Sequence, residues 1–363
     1  MEALPWGVVR PLAGGDALPA VRLGDDAIVL APLAAAGLLD GSLEGVLLEP
    51  DLNALIELGP VAWRALRTRL REIVLEGAIP AQARVALDAC QALRPVRIPD
   101  YVDFYASLEH ATNFGEIFRP GRPALRENWR HMPVGYHGRA SSVVVSGTPV
   151  RRPHGQIALG ELALTRELDL ECELGYVCGP STPGPIPVDH AQEHIFGVVL
   201  VNDWSARDVQ RLEYEPLGPF LGKSFQTSMS AWITPLDDLA DARVAPREQD
   251  PQPAPYLRAE SAWTLDVALE IELNGEVVSR PRARELYWTP AQMLAHLTAN
   301  GATLNAGDLI ATGTISGAEP GSEGSLAELA RGERWLADGD EVVLRGSAGD
   351  VELGEVRGRV LPA

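Results

Sequence analysis

Apolar and polar residues alternate along several stretches of this chain, a pattern that is typical of half-buried β-strands. The clearest case is the stretch 264–273, where every second residue from Leu265 to Leu273 is apolar. It ends in an Asn-Gly pair and then resumes, which favours a two-residue hairpin turn. Strands are also predicted over 141–150, 168–177, 195–201 and 341–360. The larger part of the chain is therefore expected to be β structure.

Helical spacing is confined to a few segments. Residues 59–77 place apolar side chains three and four positions apart, and Pro60 stands where the first helical turn tolerates proline. Residues 81–93 show a weaker helical period, and we expect the helical region to continue there. Residues 289–300 contain a proline near their start and are followed by Gly301, as expected for a helix with defined ends.

Two prolines, Pro95 and Pro99, interrupt the chain after the first helical region. Beyond them, from Asp100, the sequence becomes rich in aromatic, histidine and arginine residues and loses its periodicity, as in loops that hold functional groups. We therefore predict an N-terminal β-rich domain with a helix over 1–97 and a larger domain over 98–363. The predicted fold class is mostly β, of the α+β type.

The composition narrows the range of partners. The chain has 363 residues, a formal net charge of −19 and a pI near 4.8, so its surface repels nucleic acids and anionic membranes. The apolar run 28–39 is too short to span a bilayer, and the first residues show no secretory signal. Cys90, Cys172 and Cys178 form no C-x-x-C pair, which argues against a disulfide framework or a structural zinc site. We expect a cytoplasmic protein.

Four acidic residues are candidates for one divalent-metal site. Glu171 and Glu173 are two positions apart in a strand-like run, so both carboxylates face the same side. A cation bound between them would remove their repulsion, but an exposed face of an edge strand explains the same local pattern. Asp203 ends a nearly continuous apolar run, and Asp103 lies between aromatic residues. All-oxygen ligands favour Mg²⁺ or Ca²⁺ over zinc or copper.

A helical turn is predicted directly after Asp203, in S-A-R-D-V-Q. Ser205 and Asp208 have the spacing of a capping box at its start, so Asp203 is not needed as the cap. Arg207 and Gln210 are three positions apart and would share one face of this turn. We expect both side chains to point towards the same site as Asp203.

Other polar groups stand near these acidic residues. His110 follows the D-Y-V-D-F-Y stretch, although an isolated histidine is more often structural than catalytic. Lys223 lies among glycines and apolar residues, a setting suited to stabilising an anion. The run V-G-Y-H-G-R-A contains Tyr136, and A-T-G-T-I-S-G contains Thr312 and Thr314. The chain has no G-x-S-x-G elbow, phosphate-binding P-loop or G-x-G-x-x-G fingerprint.

Taken together, these stretches resemble the fumarylacetoacetase family. The matching motifs are D-Y-V-D-F-Y-A-S-L-E-H-A-T-N, P-V-G-Y-H-G-R-A-S-S-V-V-V-S-G-T-P, N-D-W-S-A-R-D, P-L-G-P-F-L-G-K-S-F and G-T-I-S-G. The segment D-L-N-A-L-I-E-L-G-P-V-A-W resembles the family's N-terminal domain, so the resemblance extends over essentially the whole chain. It implies a small N-terminal SH3-like β-barrel domain, a larger C-terminal mixed β-sandwich roll, and a homodimer.

The resemblance also implies roles for individual residues. Metal ligands would be Asp103, Glu171, Glu173 and Asp203, with Lys223 and Thr227 near a second cation position. Substrate contacts would fall on Tyr105, Arg119, Tyr136, Gln210, Tyr214 and Thr314. Catalytic groups would be His110, Glu328, Arg207, Gln210 and Lys223. Gln226 departs from the family pattern, which has glycine before the threonine, and this bears on the second cation position.

The activity that the resemblance implies is metal-dependent hydrolysis of a carbon–carbon bond in a 1,3-diketo acid. The substrate would be 4-fumarylacetoacetate and the products fumarate and acetoacetate, the last step of tyrosine and phenylalanine breakdown. The cation would be Mg²⁺ or Ca²⁺, and Mn²⁺ shares the same preference for oxygen ligands. Two alternatives remain: another enzyme of the superfamily (an acylpyruvate hydrolase, isomerase or decarboxylase), and a non-catalytic protein stabilised by metal.

Overall fold

The structure, a computed structural model, describes residues 3–363. Most of its regular structure is β. The strands are β1 (Trp6–Pro11), β2 (Leu18–Leu23), β3 (Asp26–Val29), β4 (Arg84–Ala86), β5 (Cys90–Leu93), β6 (Tyr101–Phe104), β7 (Gly135–His137), β8 (Val143–Val145), β9 (Val150–Arg151), β10 (His154–Ala158), β11 (Glu161–Leu164), β12 (Leu168–Asp169), β13 (Cys172–Cys178), β14 (Ile195–Asp203), β15 (Ser205–Ala206), β16 (Thr227–Met229), β17 (Trp232–Pro235), β18 (Arg243–Val244), β19 (Thr264–Leu265), β20 (Ala268–Leu273), β21 (Glu276–Ser279), β22 (Leu309–Ala311), β23 (Glu341–Ala348) and β24 (Val351–Leu361).

The α-helices are few and mostly short. They are α1 (Leu30–Ala35), α2 (Asn53–Glu57), α3 (Gly59–Leu75), α4 (Leu108–Phe118), α5 (Arg207–Glu213), α6 (Pro290–Thr298) and α7 (Leu326–Leu329). Within residues 3–363, none of them has the length and apolar character that a membrane crossing requires.

One large sheet runs through the molecule. Its strand order is β4-β3-β2-β1-β17-β14-β13-β22-β6-β7, with β5 beside β1 and with β16 and β8 branching from β14. β14 lies near the middle and is buried along its whole length, which explains its nearly continuous apolar sequence. The candidate acidic residues belong to β6, β13 and β14 or stand next to them. The same strands therefore form the core and position the site.

A second sheet, in the order β21-β20-β23-β24-β9, packs against this one. Leu174 and Leu200 from the first sheet share one buried apolar cluster with Leu269 and Leu344 from the second. A Cβ added at Gly358 would lie 2.5 Å from the ring of Trp204, so glycine is needed for this close approach. The prediction of a mostly β, α+β fold is confirmed.

The N-terminal strands do not close into the barrel that the resemblance implied. β4, β3, β2, β1 and β5 form an open arrangement, and no pairing between β4 and β5 is found in residues 3–363. The reason lies in β1. One part of its outer edge pairs with β5, and the other part pairs with β17, as Trp6 with Ile233 and Gly7 with Trp232. The edge that could close a barrel is thus used to continue the large sheet.

The helix predictions are confirmed at 59–77 and 289–300, where α3 and α6 lie. Between residues 81 and 93 the helix prediction is wrong. This segment contains β4 and β5 with two short 3₁₀ turns, because pairing with β3 and β1 satisfies its backbone groups in another way. The predicted strand 264–273 is split into β19 and β20, and its hairpin to β21 is confirmed.

Asn53 ties the first hundred residues to the rest of the chain. Its side-chain Nδ2 donates hydrogen bonds to the carbonyl oxygens of Arg97 at 2.9 Å and Ala306 at 2.7 Å. Its Oδ1 accepts a bond from the backbone N–H of Arg97 at 2.8 Å. Asn53 is 6% exposed, so these three backbone groups have little access to water. One amide therefore satisfies polar groups on two distant segments.

We expect Asn53→Ala to lower the free energy of unfolding by about 2–4 kcal/mol, because it leaves buried backbone groups without partners. Chemical denaturation monitored by circular dichroism measures this change. Gln91→Ala, at an exposed position of β5, is the control and should change stability by less than about 0.5 kcal/mol. Equal stabilities of the two variants would contradict the role given to Asn53.

Candidate metal centre and catalytic pocket

The four candidate carboxylates come from strand ends that meet at one end of the large sheet. Asp103 is the penultimate residue of β6, and Asp203 is the last residue of β14. Glu171 directly precedes β13, and Glu173 lies in it. β13 is the neighbour of β14, and β22 separates β13 from β6. Since neighbouring strands are about 4.8 Å apart, this topology brings side chains together that are far apart in the sequence.

One oxygen atom from each of the four carboxylates lies within 4.8 Å of the others, and all four residues are buried. In residues 3–363, Oδ1 of Asp103 and both carboxylate oxygens of Glu173 have no hydrogen-bond partner. Buried oxygens without partners are costly, and a hard divalent cation is the ligand that would satisfy several of them at once. The residues present therefore fit a cation such as Mg²⁺ or Ca²⁺.

Lys223 and Thr227 contact the same carboxylates. The ammonium of Lys223 forms an ion pair with Glu171 and lies 2.7 Å from Oδ2 of Asp203. The hydroxyl of Thr227 donates to Oδ1 of Asp203 at 2.6 Å. If all four carboxylates are ionised, the charges of Lys223 and Arg207 do not balance them, and a divalent cation would supply the remaining positive charge.

Tyr136 stands between two of the carboxylates. Its hydroxyl lies 2.9 Å from Oδ2 of Asp103 and 2.8 Å from Oδ2 of Asp203. A phenol has one proton and donates it to only one acceptor at a time. The hydroxyl therefore links the two carboxylates without satisfying both. The neighbouring His137 and Arg139 of the same motif are exposed, so Tyr136 is the member of this run that reaches the site.

The carboxylates differ in their pKa values. Burial raises the pKa of Asp103 and of Glu173 well above the usual range, and neighbouring carboxylates act in the same direction. For Glu171, burial also raises the pKa, but the positive charges of Lys223 and Arg207 outweigh it and hold the pKa below its usual value. Asp103 and Glu173 thus favour their protonated forms when no cation is bound.

His110 is oriented by Glu328. It lies in the first turn of α4, where the N-cap Ser107 accepts a hydrogen bond from its backbone N–H. Its Nδ1 is 2.7 Å from Oε2 of Glu328, which belongs to α7. Burial raises the pKa of Glu328, but His110 and several hydrogen bonds outweigh it and lower this pKa. An ionised Glu328 places the proton on Nδ1 and leaves Nε2 free to accept another.

Glu328 is itself held by three side chains that the sequence reasoning missed. Asn113 donates to its Oε1 at 2.9 Å, Ser316 at 3.0 Å, and Ser325 donates to its Oε2 at 2.7 Å. Asn113 is three residues after His110 on α4, so helical spacing was a usable signal for it. The two serines had no such signal apart from lying in family motifs. The carboxylate therefore has a fully bonded environment.

Arg207 and Gln210 share one face of α5, as their spacing predicts. Nη1 of Arg207 donates to Oε1 of Gln210 at 3.0 Å, and Nη2 lies 2.7 Å from Oε1 of Glu171. The guanidinium also lies over the ring of Phe114, 4.3 Å from its centroid. Arg207 is thus fixed beside the acidic cluster.

Three local details differ from what the sequence suggests. The capping box of Ser205 and Asp208 does not form, because α5 starts one residue later and its N-cap is Ala206. The Thr312 hydroxyl donates to the neighbouring carbonyl and accepts a backbone N–H, so it faces the sheet and not the pocket. The Gln226 amide donates to a backbone carbonyl at 3.4 Å and is mostly buried.

A cavity of about 270 Å³ opens beside the cluster. One side is apolar, with Phe114, Phe118 and Leu217. The Thr314 hydroxyl has no partner among residues 3–363, and neither does Nε of Arg119. Of the predicted site residues, those that line the cavity are Asp103, Tyr105, His110, Arg119, Tyr136, Glu171, Arg207, Gln210, Tyr214, Lys223 and Thr314. Glu173, Asp203, Thr227 and Glu328 are not part of its wall. Asp203 contacts Lys223 and Glu328 contacts His110, both of which line the cavity, whereas Thr227 contacts Asp203 and Glu173 lies beside the other carboxylates.

Two family models match this chain. The model for the C-terminal part of fumarylacetoacetate (FAA) hydrolases matches residues 101–361, and the model for the fumarylacetoacetase N-terminal part matches residues 2–96. The chain belongs to the fumarylacetoacetase family. The two matched ranges adjoin near the boundary predicted between residues 97 and 98. That boundary stays a prediction, since the large sheet continues across it.

Relatives in the fumarylacetoacetase family are similar over the full length. Fumarylacetoacetase of Bos taurus is 42% identical over 400 residues, with 99% of this chain and 95% of the relative covered. That of Homo sapiens is 41% identical over 401 residues, with the same shares. That of Arabidopsis thaliana is 38% identical over 402 residues, with 100% and 96% covered.

Solved structures share the fold at lower identity. A fumarylacetoacetate hydrolase from Exiguobacterium antarcticum superposes with a TM-score of 0.60 at 21% identity, with 99% of this chain and 100% of that chain covered. A maleylpyruvate hydrolase from Sphingobium sp. SYK-6 gives 0.59 at 19% identity, with 98% and 100% covered. At these identities the likeness supports the fold alone.

We expect cation binding to release protons and to become tighter as the pH rises. The reason is that the raised pKa values of Asp103 and Glu173 make a cation compete with protons for their oxygens. The metal-free protein should in turn lose stability as the pH rises, because the folded state then gives up protons that it binds more tightly than the unfolded state.

Calorimetric titration of the metal-free protein with Mg²⁺ or Mn²⁺, in buffers of different ionisation enthalpy, measures both affinity and proton release. Repeating the titration from mildly acidic to mildly basic pH gives the dependence of the cation affinity on pH. An affinity independent of pH, with no protons released, would contradict this description of the cluster.

Proposed function

We propose that this protein hydrolyses 4-fumarylacetoacetate to fumarate and acetoacetate with the help of a divalent cation. The observation that supports this most is a buried four-carboxylate cluster near the buried His110–Glu328 pair, with Asp103, Glu171 and His110 lining one cavity. The full-length identity to fumarylacetoacetases points to the same reaction. A hydrolase that cleaves a bond between carbons needs an activated water and a stabilised leaving group, and the cavity offers groups for both.

Asp103, Glu171, Glu173 and Asp203 would hold the cation. When bound there, a divalent cation supplies Lewis acidity, which polarises the carbonyl oxygens of a 1,3-diketone. Mg²⁺ and Ca²⁺ both suit four carboxylates, and Mn²⁺ shares their preference for oxygen. Thr227 and Lys223 both bond Asp203, and they would stand near a second cation position.

His110 would act as the general base. Because Nδ1 donates to Glu328, the free Nε2 accepts a proton from a water molecule in the cavity. The hydroxide adds to the carbonyl carbon on the fumaryl side, and the bond from this carbon to the methylene group then breaks. The electron pair of that bond stays with the methylene carbon, which takes up a proton and becomes the methyl group of acetoacetate. The protonated His110 is a suitable source of this proton.

Arg207, Gln210 and Lys223 would stabilise the oxyanion formed by this addition. All three line the cavity and carry N–H donor groups. Arg207 and Lys223 also contact Glu171, so their positions are fixed before substrate arrives. Donors held in advance towards developing charge are worth more than donors that must reorient.

The ends of the substrate would be bound at the other side of the cavity. Arg119, whose Nε has no partner among the residues that the structure describes, is suited to a substrate carboxylate. Tyr105, Tyr214 and Thr314 offer hydroxyl groups along the wall, and Tyr136 offers one beside the cluster. These local groups give an anionic substrate a place in a protein whose net charge is −19.

We propose that the protein works in the cytoplasm as a homodimer and catalyses the last step of tyrosine and phenylalanine breakdown.

Loss of the diketone absorbance with fumarylacetoacetate tests the reaction, and acylpyruvates in the same assay test the nearest alternative. Faster turnover of acylpyruvates would favour an acylpyruvate hydrolase. Thermal stabilisation by metal without turnover of any diketone would favour a non-catalytic protein.

Chelation followed by addition of single metals identifies the cation. We expect turnover to disappear on chelation and to return with Mg²⁺, Mn²⁺ or Ca²⁺, because the cluster has only oxygen ligands. Full activity in the chelated enzyme, with metal analysis below one equivalent, would contradict the metal-dependent reaction.

We expect His110→Ala to lower kcat by about 10²–10⁴-fold while cation binding is retained, because it removes the base and none of the carboxylates. Asp203→Asn should lower cation affinity and kcat together, because it removes a ligand. Steady-state kinetics and calorimetric titration of each variant separate the two effects. The control is His190→Ala, at an exposed position of a 3₁₀ helix, which should behave as the wild type. Substantial activity in His110→Ala would contradict the role of the base.

A further inference from the structure

Asp169, the last residue of β12, is a fully buried carboxylate with two different sets of partners. Its Oδ2 accepts a hydrogen bond from Nε of Arg207 at 2.9 Å and lies 2.8 Å from Nη2 of the same side chain. Its Oδ1 accepts bonds from three backbone N–H groups, those of Leu170 at 2.8 Å, Leu326 at 3.0 Å and Ala327 at 3.2 Å. Each oxygen of one side chain therefore holds a separate part of the structure.

The Arg207 arm reaches the cavity. Nε donates to Asp169 and Nη1 donates to Gln210, while Nη2 lies within ion-pair distance of both Asp169 and Glu171. Asp169 is 0% exposed and Arg207 1%, so bulk water does not compete for their contact. A carboxylate that pairs with one edge of a planar guanidinium lies close to the guanidinium plane. Asp169 therefore fixes the plane of the guanidinium that lines the cavity.

The backbone arm reaches the general base. Leu326 and Ala327 are the first two residues of α7, and Glu328 follows them directly. Their N–H groups have no partners within so short a helix, so Asp169 supplies the acceptor. The position of α7 sets the position of Glu328, and Glu328 bonds Nδ1 of His110. The same carboxylate is thus linked to the proposed general base and to Arg207, one of the groups proposed to stabilise the oxyanion.

We propose that Asp169 is a positioning residue that holds Arg207 and the start of α7 in one relative geometry. The base and the oxyanion-stabilising group then face the same carbonyl. The inference rests on the proposed function for the roles of His110 and Arg207. Displacing such groups by about 1 Å lowers the rate of the chemical step strongly, so holding them in a fixed geometry favours catalysis. The alternative is that Asp169 only neutralises a buried arginine.

Two substitutions separate the two arms. Asp169→Asn keeps an oxygen for the backbone N–H groups but turns an NH₂ group towards the donors of Arg207. Asp169→Ala removes the acceptors on both sides. Hydrogen exchange measured by mass spectrometry on a peptide spanning α7 reports the backbone arm. We expect wild-type protection in Asp169→Asn and faster exchange in Asp169→Ala. Equal exchange of the peptide in both variants would overturn the backbone arm.

Kinetics report the Arg207 arm. We expect Asp169→Asn to lower kcat by about 10–100-fold with little change in the affinity for fumarate, measured by calorimetry. If Asp169 acts through Arg207, the double variant Asp169→Asn/Arg207→Gln should be no slower than Arg207→Gln alone. A kcat of Asp169→Asn within about twofold of the wild type, or losses that multiply in the double variant, would overturn the inference.

The control is Asp238→Asn. Asp238 is a buried carboxylate that pairs with Arg67 and Arg71, away from the cavity, so its loss should lower stability and leave kcat unchanged. Asp169→Asn alone leaves the buried Arg207 without this partner and can fail to fold. The double variant removes both charges, so its kcat can still be compared with that of Arg207→Gln to test whether Asp169 acts through Arg207. A further tenfold loss of kcat in the double variant would overturn the inference.

Failure of the proposed function gives a different result. A wild-type protein without turnover of fumarylacetoacetate would overturn that function. The exchange of α7 in Asp169→Asn and Asp169→Ala would still decide whether Asp169 holds the backbone arm.

Discussion

Four carboxylates share one buried place in this protein, and their mutual repulsion is the constraint on which the rest of the site depends. Water cannot screen them, so the protein must supply their partners. Lys223, Thr227 and Tyr136 supply some of these, and the unpaired oxygens of Asp103 and Glu173 remain. The four acidic residues lie on or directly beside β6, β13 and β14, three strands of the large sheet. A rigid core is thus what keeps like charges within reach of one cation.

The catalytic groups beside the cluster are positioned by a polar network that has almost no access to water. In such surroundings a fully bonded network is rigid, and a partly bonded one is costly. Glu328 has bonds from His110, Asn113, Ser316 and Ser325, so its carboxylate has little freedom to turn. The imidazole therefore keeps one tautomer and one direction. The chemistry that we propose needs both properties.

Local pattern and resemblance predicted different parts of this molecule. Periodicity was sufficient for α3 and β20, which bury one face regularly, whereas a continuous apolar run indicated β14 and end signals indicated α6. It failed at 81–93, where pairing with distant strands overrides a weak helical period. The candidate carboxylates and His110 were identified by type and motif. Ser316 and Asp169 were missed because their role arises only when distant segments meet, and no local spacing encodes such a meeting.

The pairing of β1 with β17 has a consequence for the evolution and engineering of this chain. Through it, the first strand of the chain covers the edge of a strand that neighbours β14. A fragment lacking the N-terminal segment would present a bare strand edge over Trp232 and Ile233, and such edges recruit other chains. Such a fragment, expressed alone, would tend to self-associate through this edge. The N-terminal segment therefore protects this strand edge from pairing with other chains.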